Sequence, residues 1–165
     1  MRTTALMACA SALTWSAVIV PASAEDGKAF SGSACQATFA SGVQSLFRNG
    51  QQLLSSGSSA VSVTCPVTKD LEAGRIKRAQ VFVIDRNPNS GGEVRCTLAT
   101  FSNAGTQVSS EVRASTGSDP TRVQTLTFGA QLKANAGSYA LTCDFPPFVP
   151  SFGPSSLVMY NVVEE

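Results

Sequence analysis

The sequence predicts an all-β fold: a single antiparallel β-sandwich of jelly-roll or related Greek-key topology, with about eight strands and two disulfides. Three observations carry this. Apolar residues recur with period two over most of the chain, glycine- and asparagine-rich breaks separate the alternating runs, and four cysteines are spread widely along them. The only stretch that approaches helical spacing, Phe39 to Leu54, is interrupted by Gly42 and Gly50, so at most one short helical turn is expected there.

In chain order, Asn49-Gly50 between Val43–Arg48 and Gln51–Leu54 is a hairpin signal. Val61, Val63, Cys65 and Val67 alternate with Ser62, Thr64 and Pro66, which places the valines and the cysteine on one face of a strand. Ala79 to Ile84 is apolar on both sides and reads as a central strand covered on both faces. Val94, Cys96 and Leu98 alternate with Arg95 and Thr97. Val108, Ser110, Val112 and Ala114, set against Ser109, Glu111 and Arg113, suit a half-exposed edge strand with the valines inward. Leu126 and Phe128 share a face of Val123–Phe128, Tyr139, Leu141, Cys143 and Phe145 share one face, and Val158, Tyr160 and Val162 share another. The breaks at Asn89–Gly92, Asn103–Gly105, Gly117–Pro120 and Asn135–Gly137 have the turn chemistry that divides such strands.

The first 24 residues read as a secretory signal peptide. Arg2 precedes a low-charge run from Ala5 to Val20, and Pro21-Ala22-Ser23-Ala24 supplies a small-residue cleavage site after Ala24. The apolar run is shorter than the roughly 20 residues a membrane-spanning helix needs, so no membrane span is expected in the mature chain. Residues 25–32 are expected to be a flexible lead-in and 33–165 the sandwich domain. The Ala22–Ala24 site, with no N-x-S/T sequon anywhere, fits a bacterial extracellular or periplasmic protein.

Cleavage removes Trp15, Cys9 and Arg2, leaving Cys35, Cys65, Cys96 and Cys143 and a balanced set of charged side chains. An even number of widely spaced cysteines in an exported chain reads as disulfides, because a zinc site favours paired C-x-x-C spacing. The preferred pairing is Cys35 with Cys65, its nearest partner, and Cys96 with Cys143, which occupy equivalent inward positions of two well-formed strands. The charge balance argues against nucleic acid as a partner, since that contact needs clustered cations. The densest basic cluster, Arg75, Lys77 and Arg78 beside Lys69, Asp70 and Glu72, reads as a solvated face that protects a sheet edge.

The segment Asn135 to Cys143 resembles an immunoglobulin corner, with a tyrosine shortly before a cysteine. However, Tyr139 precedes Cys143 by four positions where that family has two, and the core tryptophan is missing, so only the wider sandwich architecture is implied.

The chain contains no histidine, which excludes Ser-His-Asp and Cys-His hydrolases, an imidazole base and imidazole metal ligands. Two segments are left as candidates for chemistry. Asp85-Arg86-Asn87-Pro88-Asn89-Ser90-Gly91-Gly92-Glu93 spaces oxygen ligands at positions 1, 3, 5 and 9, as a calcium loop does, but Ser90 stands where glycine is required and Cys96 where a bidentate glutamate is required. A tight hairpin loop without cofactor is the expectation. In Phe145-Pro146-Pro147-Phe148-Val149-Pro150-Ser151-Phe152-Gly153-Pro154 the prolines forbid a ladder, so the phenylalanines either cap the sandwich, as expected, or expose a patch centred on Phe148 and Phe152 for a hydrophobic or protein partner. The acids Glu25, Asp26, Asp70, Glu72, Asp85, Glu93, Glu111, Asp119, Asp144, Glu164 and Glu165 read as solvated charges with no evident mates.

The functional expectation is therefore a secreted, non-catalytic binding or structural module of the cell exterior, with an extracellular protein or glycan as partner. Two alternatives stand beside it. One is a small extracellular hydrolase using paired carboxylates. The other is a lectin-like carbohydrate-binding module, which fits the fold but has only Tyr139 and Tyr160 as sugar-stacking residues outside the leader, both patterned into strands.

Overall fold

A computed structural model describes residues 25–70, 75–89, 91–117, 119, 121–131 and 137–165. The signal peptide expected over residues 1–24 lies outside the described residues. No helix among the described residues is long and apolar enough to cross a membrane.

The fold is an antiparallel β-sandwich of eleven strands among the described residues: β1 Asp26–Ser31, β2 Gln36–Ala37, β3 Leu46–Asn49, β4 Gln52–Ser55, β5 Val61–Cys65, β6 Ile76–Ile84, β7 Arg95–Phe101, β8 Gln107–Ala114, β9 Gln124–Phe128, β10 Ser138–Phe145 and β11 Ser155–Glu164. One sheet runs β3-β4-β11-β6-β9, with β1 lying along the second half of β11, and the other runs β2-β5-β10-β7-β8. The core between them is built from the residues that the alternation selects: Val61, Val63, Val81, Val83, Leu98, Leu126, Phe128, Leu141, Tyr160 and Val162 are all buried.

Both disulfides form as expected and staple one sheet across neighbouring strands. Cys96 and Cys143 face each other in register on β7 and β10, and Cys35 bonds Cys65 beside the β2–β5 pairing. All four sulfurs sit in the core. The Asn49-Gly50 hairpin also forms, one residue out of step. Asn49 pairs with Gln52, and Gly50, at φ +60°, takes the first turn position that L side chains rarely adopt. The short helical turn is a 3-10 segment over Ala40–Ser45.

Several expectations are corrected. The strands number eleven, because β1 and the short edge pieces escaped the pattern. Residues 26–31, expected to be a flexible lead-in, pair with β11 from Asp26–Glu164 to Ser31–Met159. What fixes β1 is Phe30, stacked on Tyr160 at 4.9 Å, and Lys28, whose ammonium lies 3.0 Å from Asp70, 3.2 Å from Glu164 and 3.3 Å from Asp26. Burial pulls the Lys28 ammonium down, but the three carboxylates outweigh it and hold its pKa above the usual lysine value. Glu164, read as a solvated charge, is buried.

Strand β6 is central, between β11 and β9, yet its outward residues Gln80, Phe82 and Ile84 are only half-buried, because one face alone is covered. The basic cluster therefore does not guard an edge. Lys77 pairs with Glu25 at 2.5 Å and with Glu165 at 3.8 Å, and Arg75 pairs with Glu165.

Another correction concerns β8, an edge strand as expected but with its faces exchanged. Its register sets Ser109, Glu111 and Arg113 opposite the inward residues Thr100, Leu98 and Cys96, so Val108 and Val112 turn outward, each 50% exposed. Glu111 accepts the Gly129 N–H at 2.9 Å, Arg113 Nε donates to Thr127 O at 2.9 Å, and the two side chains pair with each other. Inward charges on an edge strand block pairing with other chains while closing the seam to β9. A further irregularity sits on β11, where a bulge between Leu157 and Met159 makes Leu157, Tyr160 and Val162 the buried set and leaves Val158 half-buried.

Candidate functional site

The two segments singled out by sequence meet at one end of the sandwich. The first is not a hairpin: it crosses from β6 in one sheet to β7 in the other. Asp85, at the end of β6, is buried; its Oδ1 accepts the Asn87 N–H at 3.0 Å and its Oδ2 accepts the Ser115 hydroxyl at 2.5 Å. Ser115 in turn accepts the Val94 N–H at 2.9 Å, so one carboxylate ties the two sheets together. Asn87 continues the chain of bonds. Its Oδ1 accepts the Asn89 N–H at 2.9 Å, and its Nδ2 donates to Pro147 O at 3.1 Å, which fastens the loop to the proline segment. A Cβ on Gly92 would fall 2.6 Å from the Asn87 side chain, so this close approach requires glycine.

The calcium spacing is thus spent on internal hydrogen bonds. Asp85 points into the sandwich while Glu93 bonds the Gly91 N–H at 3.3 Å, and among the described residues no three acidic or cysteine side chains gather as metal ligands. Ser90 lies outside the described residues.

In the proline segment, Phe145 and Pro146 are buried and cap the core, as expected of a capping segment. The Phe148 N–H donates to Gly57 O at 2.8 Å, with its ring half-buried. Phe152 is the exposed ring, at 43%, on a turn closed by the Val149–Gly153 bridge. The proposed two-ring patch is therefore one exposed ring and one half-covered ring.

Between these segments and the ends of β7 and β10 lies an open depression of about 290 Å³, lined by Ala60, Gly91, Glu93, Arg95, Asp144 and Pro147. Its apolar lining is made by the prolines and Ala60, and its polar lining includes a guanidinium and two carboxylates. Arg95 stands opposite Asp144 in the β7–β10 register and has no ion-pair partner among the described residues, while Asp144 accepts the Ser62 hydroxyl. Sequence reasoning found Glu93 and Asp144 without mates. The sheet register and the loop crossover bring both to one depression, which no local pattern could reveal.

No protein-family model matches the chain, and no curated protein does either. Solved structures do resemble it. The low-affinity xylan-binding module of the gut symbiont Roseburia intestinalis superposes with a TM-score of 0.53 at 11% identity, covering 85% of this chain and 96% of that one. A carbohydrate-binding module in complex with β-1,4-galactotriose gives a TM-score of 0.44 at 13% identity over 84% of this chain and 88% of that one. A family two carbohydrate esterase from Cellvibrio japonicus gives 0.46 at 10% identity, covering 86% of this chain; the chain spans about a third of the esterase, 34%. At these identities the likeness defines the fold. That fold, shared with the xylan-binding module, is an antiparallel β-sandwich.

Proposed function

We propose that the protein is an exported, non-catalytic glycan-binding module and that the depression holding Glu93, Arg95 and Asp144 is its sugar site. The observation that carries this is the depression's mixed chemistry. A sugar ring offers an apolar C–H face and an edge of hydroxyls that both donate and accept. Here apolar proline and alanine surface shares one depression with a guanidinium that has no ion-pair partner among the described residues and with two acceptor carboxylates. The bond chain from Asp85 through Asn87 to Pro147 holds that proline surface in place before any ligand arrives. The leader-like residues 1–24 and the two buried disulfides support export. The resemblance to a xylan-binding module supports a binding role. Without tryptophan or tyrosine platforms, affinity falls in the millimolar range, about −4 kcal/mol.

Electrophoresis through gels containing soluble xylan, β-glucan or galactan tests the reading. Retardation by at least one polysaccharide is expected, lost in Arg95→Ala and Asp144→Ala. Free migration in every gel refutes it.

One observation favours a second reading, carboxylate-dependent hydrolysis, since Glu93 and Asp144 share the same depression. Asp144 is exposed and already accepts the Ser62 hydroxyl, so it lacks the desolvated setting of a general acid. No reducing ends are expected from the same polysaccharides, and release abolished by Glu93→Gln would replace binding with hydrolysis.

A further inference from the structure

The bridge from β2 in one sheet to β3 in the other leaves more apolar surface uncovered than any other segment of comparable length among the described residues. Phe39 is 68% exposed, Val43 61% and Phe47 44%, and the 3-10 turn over Ala40–Ser45 buries none of its own residues. Beneath it runs a groove of about 270 Å³ lined by Gln36, Ala37, Val43, Leu46, Arg48 and Leu53. The groove opens where the sheet edges diverge, β2 on one side and the β3–β4 hairpin on the other. Its floor is Leu53, a residue of the core.

Among the described residues, Arg48 is the only charged one lining this groove. Its Nε donates to Ser33 O at 2.9 Å and its Nη2 to Cys35 O at 3.3 Å, which fix the guanidinium in place, and no carboxylate pairs with it among the described residues. An anchored cation without a counter-ion beside an apolar slot is complementary to one ligand shape: an apolar chain with an anionic head. The volume lies just below the roughly 300–1,000 Å³ of most small-molecule sites, and a sheet-to-sheet seam of roughly 10 Å admits a single extended chain.

We propose that this groove binds a free single-chain carboxylate, with the acyl chain against Leu46, Leu53 and Val43 and the head group on Arg48. The site shares no residue with the glycan depression and stands independently of it.

Calorimetric titration of the protein with dodecanoate below its micellar concentration tests the proposal. Binding of one molecule per chain is expected, with affinity rising about fourfold per methylene from octanoate to dodecanoate. Arg48→Gln should weaken dodecanoate about tenfold, and dodecyltrimethylammonium should bind at least tenfold more weakly than dodecanoate to the unmodified protein. Because Arg48 also holds two backbone carbonyls, Val43→Asp provides a second variant. Val43 is exposed on a turn that buries nothing, so this protein folds, and it should lose dodecanoate binding. The proposal is overturned by absent dodecanoate binding, by equal affinity for the ammonium analogue, by unchanged affinity in either folded variant, or by capture on phosphatidylglycerol vesicles with no binding of monomeric dodecanoate.

Discussion

Replacing Asp85 by alanine removes the one carboxylate that joins the end of β6 to the segment following β8. Two donors lose their acceptor: the Ser115 hydroxyl, bonded at 2.5 Å, and the Asn87 N–H, at 3.0 Å. Ser115 and Asn87 are both buried, so water does not replace the lost partner. Each orphaned donor costs about 1–3 kcal/mol, partly offset because a buried charge is no longer desolvated, which leaves a net loss of about 2–4 kcal/mol. At a urea m-value of about 2 kcal/mol/M this lowers the unfolding midpoint by about 1–2 M. Asp85→Asn keeps one acceptor for the Asn87 N–H and should cost only about 1 kcal/mol. The same relay positions Pro147, so Asp85→Ala should also weaken glycan retardation more than Asp85→Asn does. Urea unfolding followed by circular dichroism measures the stability terms. A midpoint for Asp85→Ala within 0.2 M of the parent, or equal losses in the two variants, would show that the carboxylate does not bear this link.

Two further predictions concern the core. The Cys96–Cys143 bridge spans 47 residues, so replacing both cysteines with alanine should cost about 4 kcal/mol by loop-closure entropy, measured as a drop in urea midpoint; a loss under about 1 kcal/mol would refute that contribution. Tyr160 is buried, and desolvation pushes its phenol up to about 12. Its folded pKa is raised above the unfolded value of about 10, so its contribution to stability is complete below pH 10 and is lost as the pH climbs toward 12. Absorbance titration at 295 nm should show a late-ionising tyrosine that shifts back to about 10 in denaturant, and a single transition near 10 in the folded protein would contradict the burial.

Much of the architecture is legible in the sequence because period-two alternation is a local property. Val61, Val63 and Cys65, or Tyr139, Leu141 and Cys143, declare which side faces inward without reference to any partner strand. The same logic failed at β8. There, Val108 and Val112 look like an inward set, but register with β7 turns Glu111 and Arg113 inward, where they pair with each other and bond to β9 and the residue just beyond it. Lys28 and Phe30 gave too short a pattern to mark a strand, and β1 forms because β11 offers an open edge with Tyr160 and Glu164 waiting on it. Neither segment of the candidate site was informative alone. The calcium-like spacing of Asp85, Asn87 and Glu93 described a loop that spends its oxygens internally, and Asp144 had no mate until β10 paired with β7.

By itself the sequence determined the fold class, the presence of two disulfides and the exclusion of histidine-dependent chemistry, because each depends on residue type and short-range spacing; among the three connectivities that four cysteines allow it gave a preference, and strand register settled the pairing. Only the tertiary structure decided which strands form edges, that Glu164 and Asp85 are buried, and that Glu93, Arg95 and Asp144 share a depression while Arg48 closes an apolar groove. These follow from strand order and register between segments tens of residues apart. Long-range pairing energy sets them, and no local pattern encodes it.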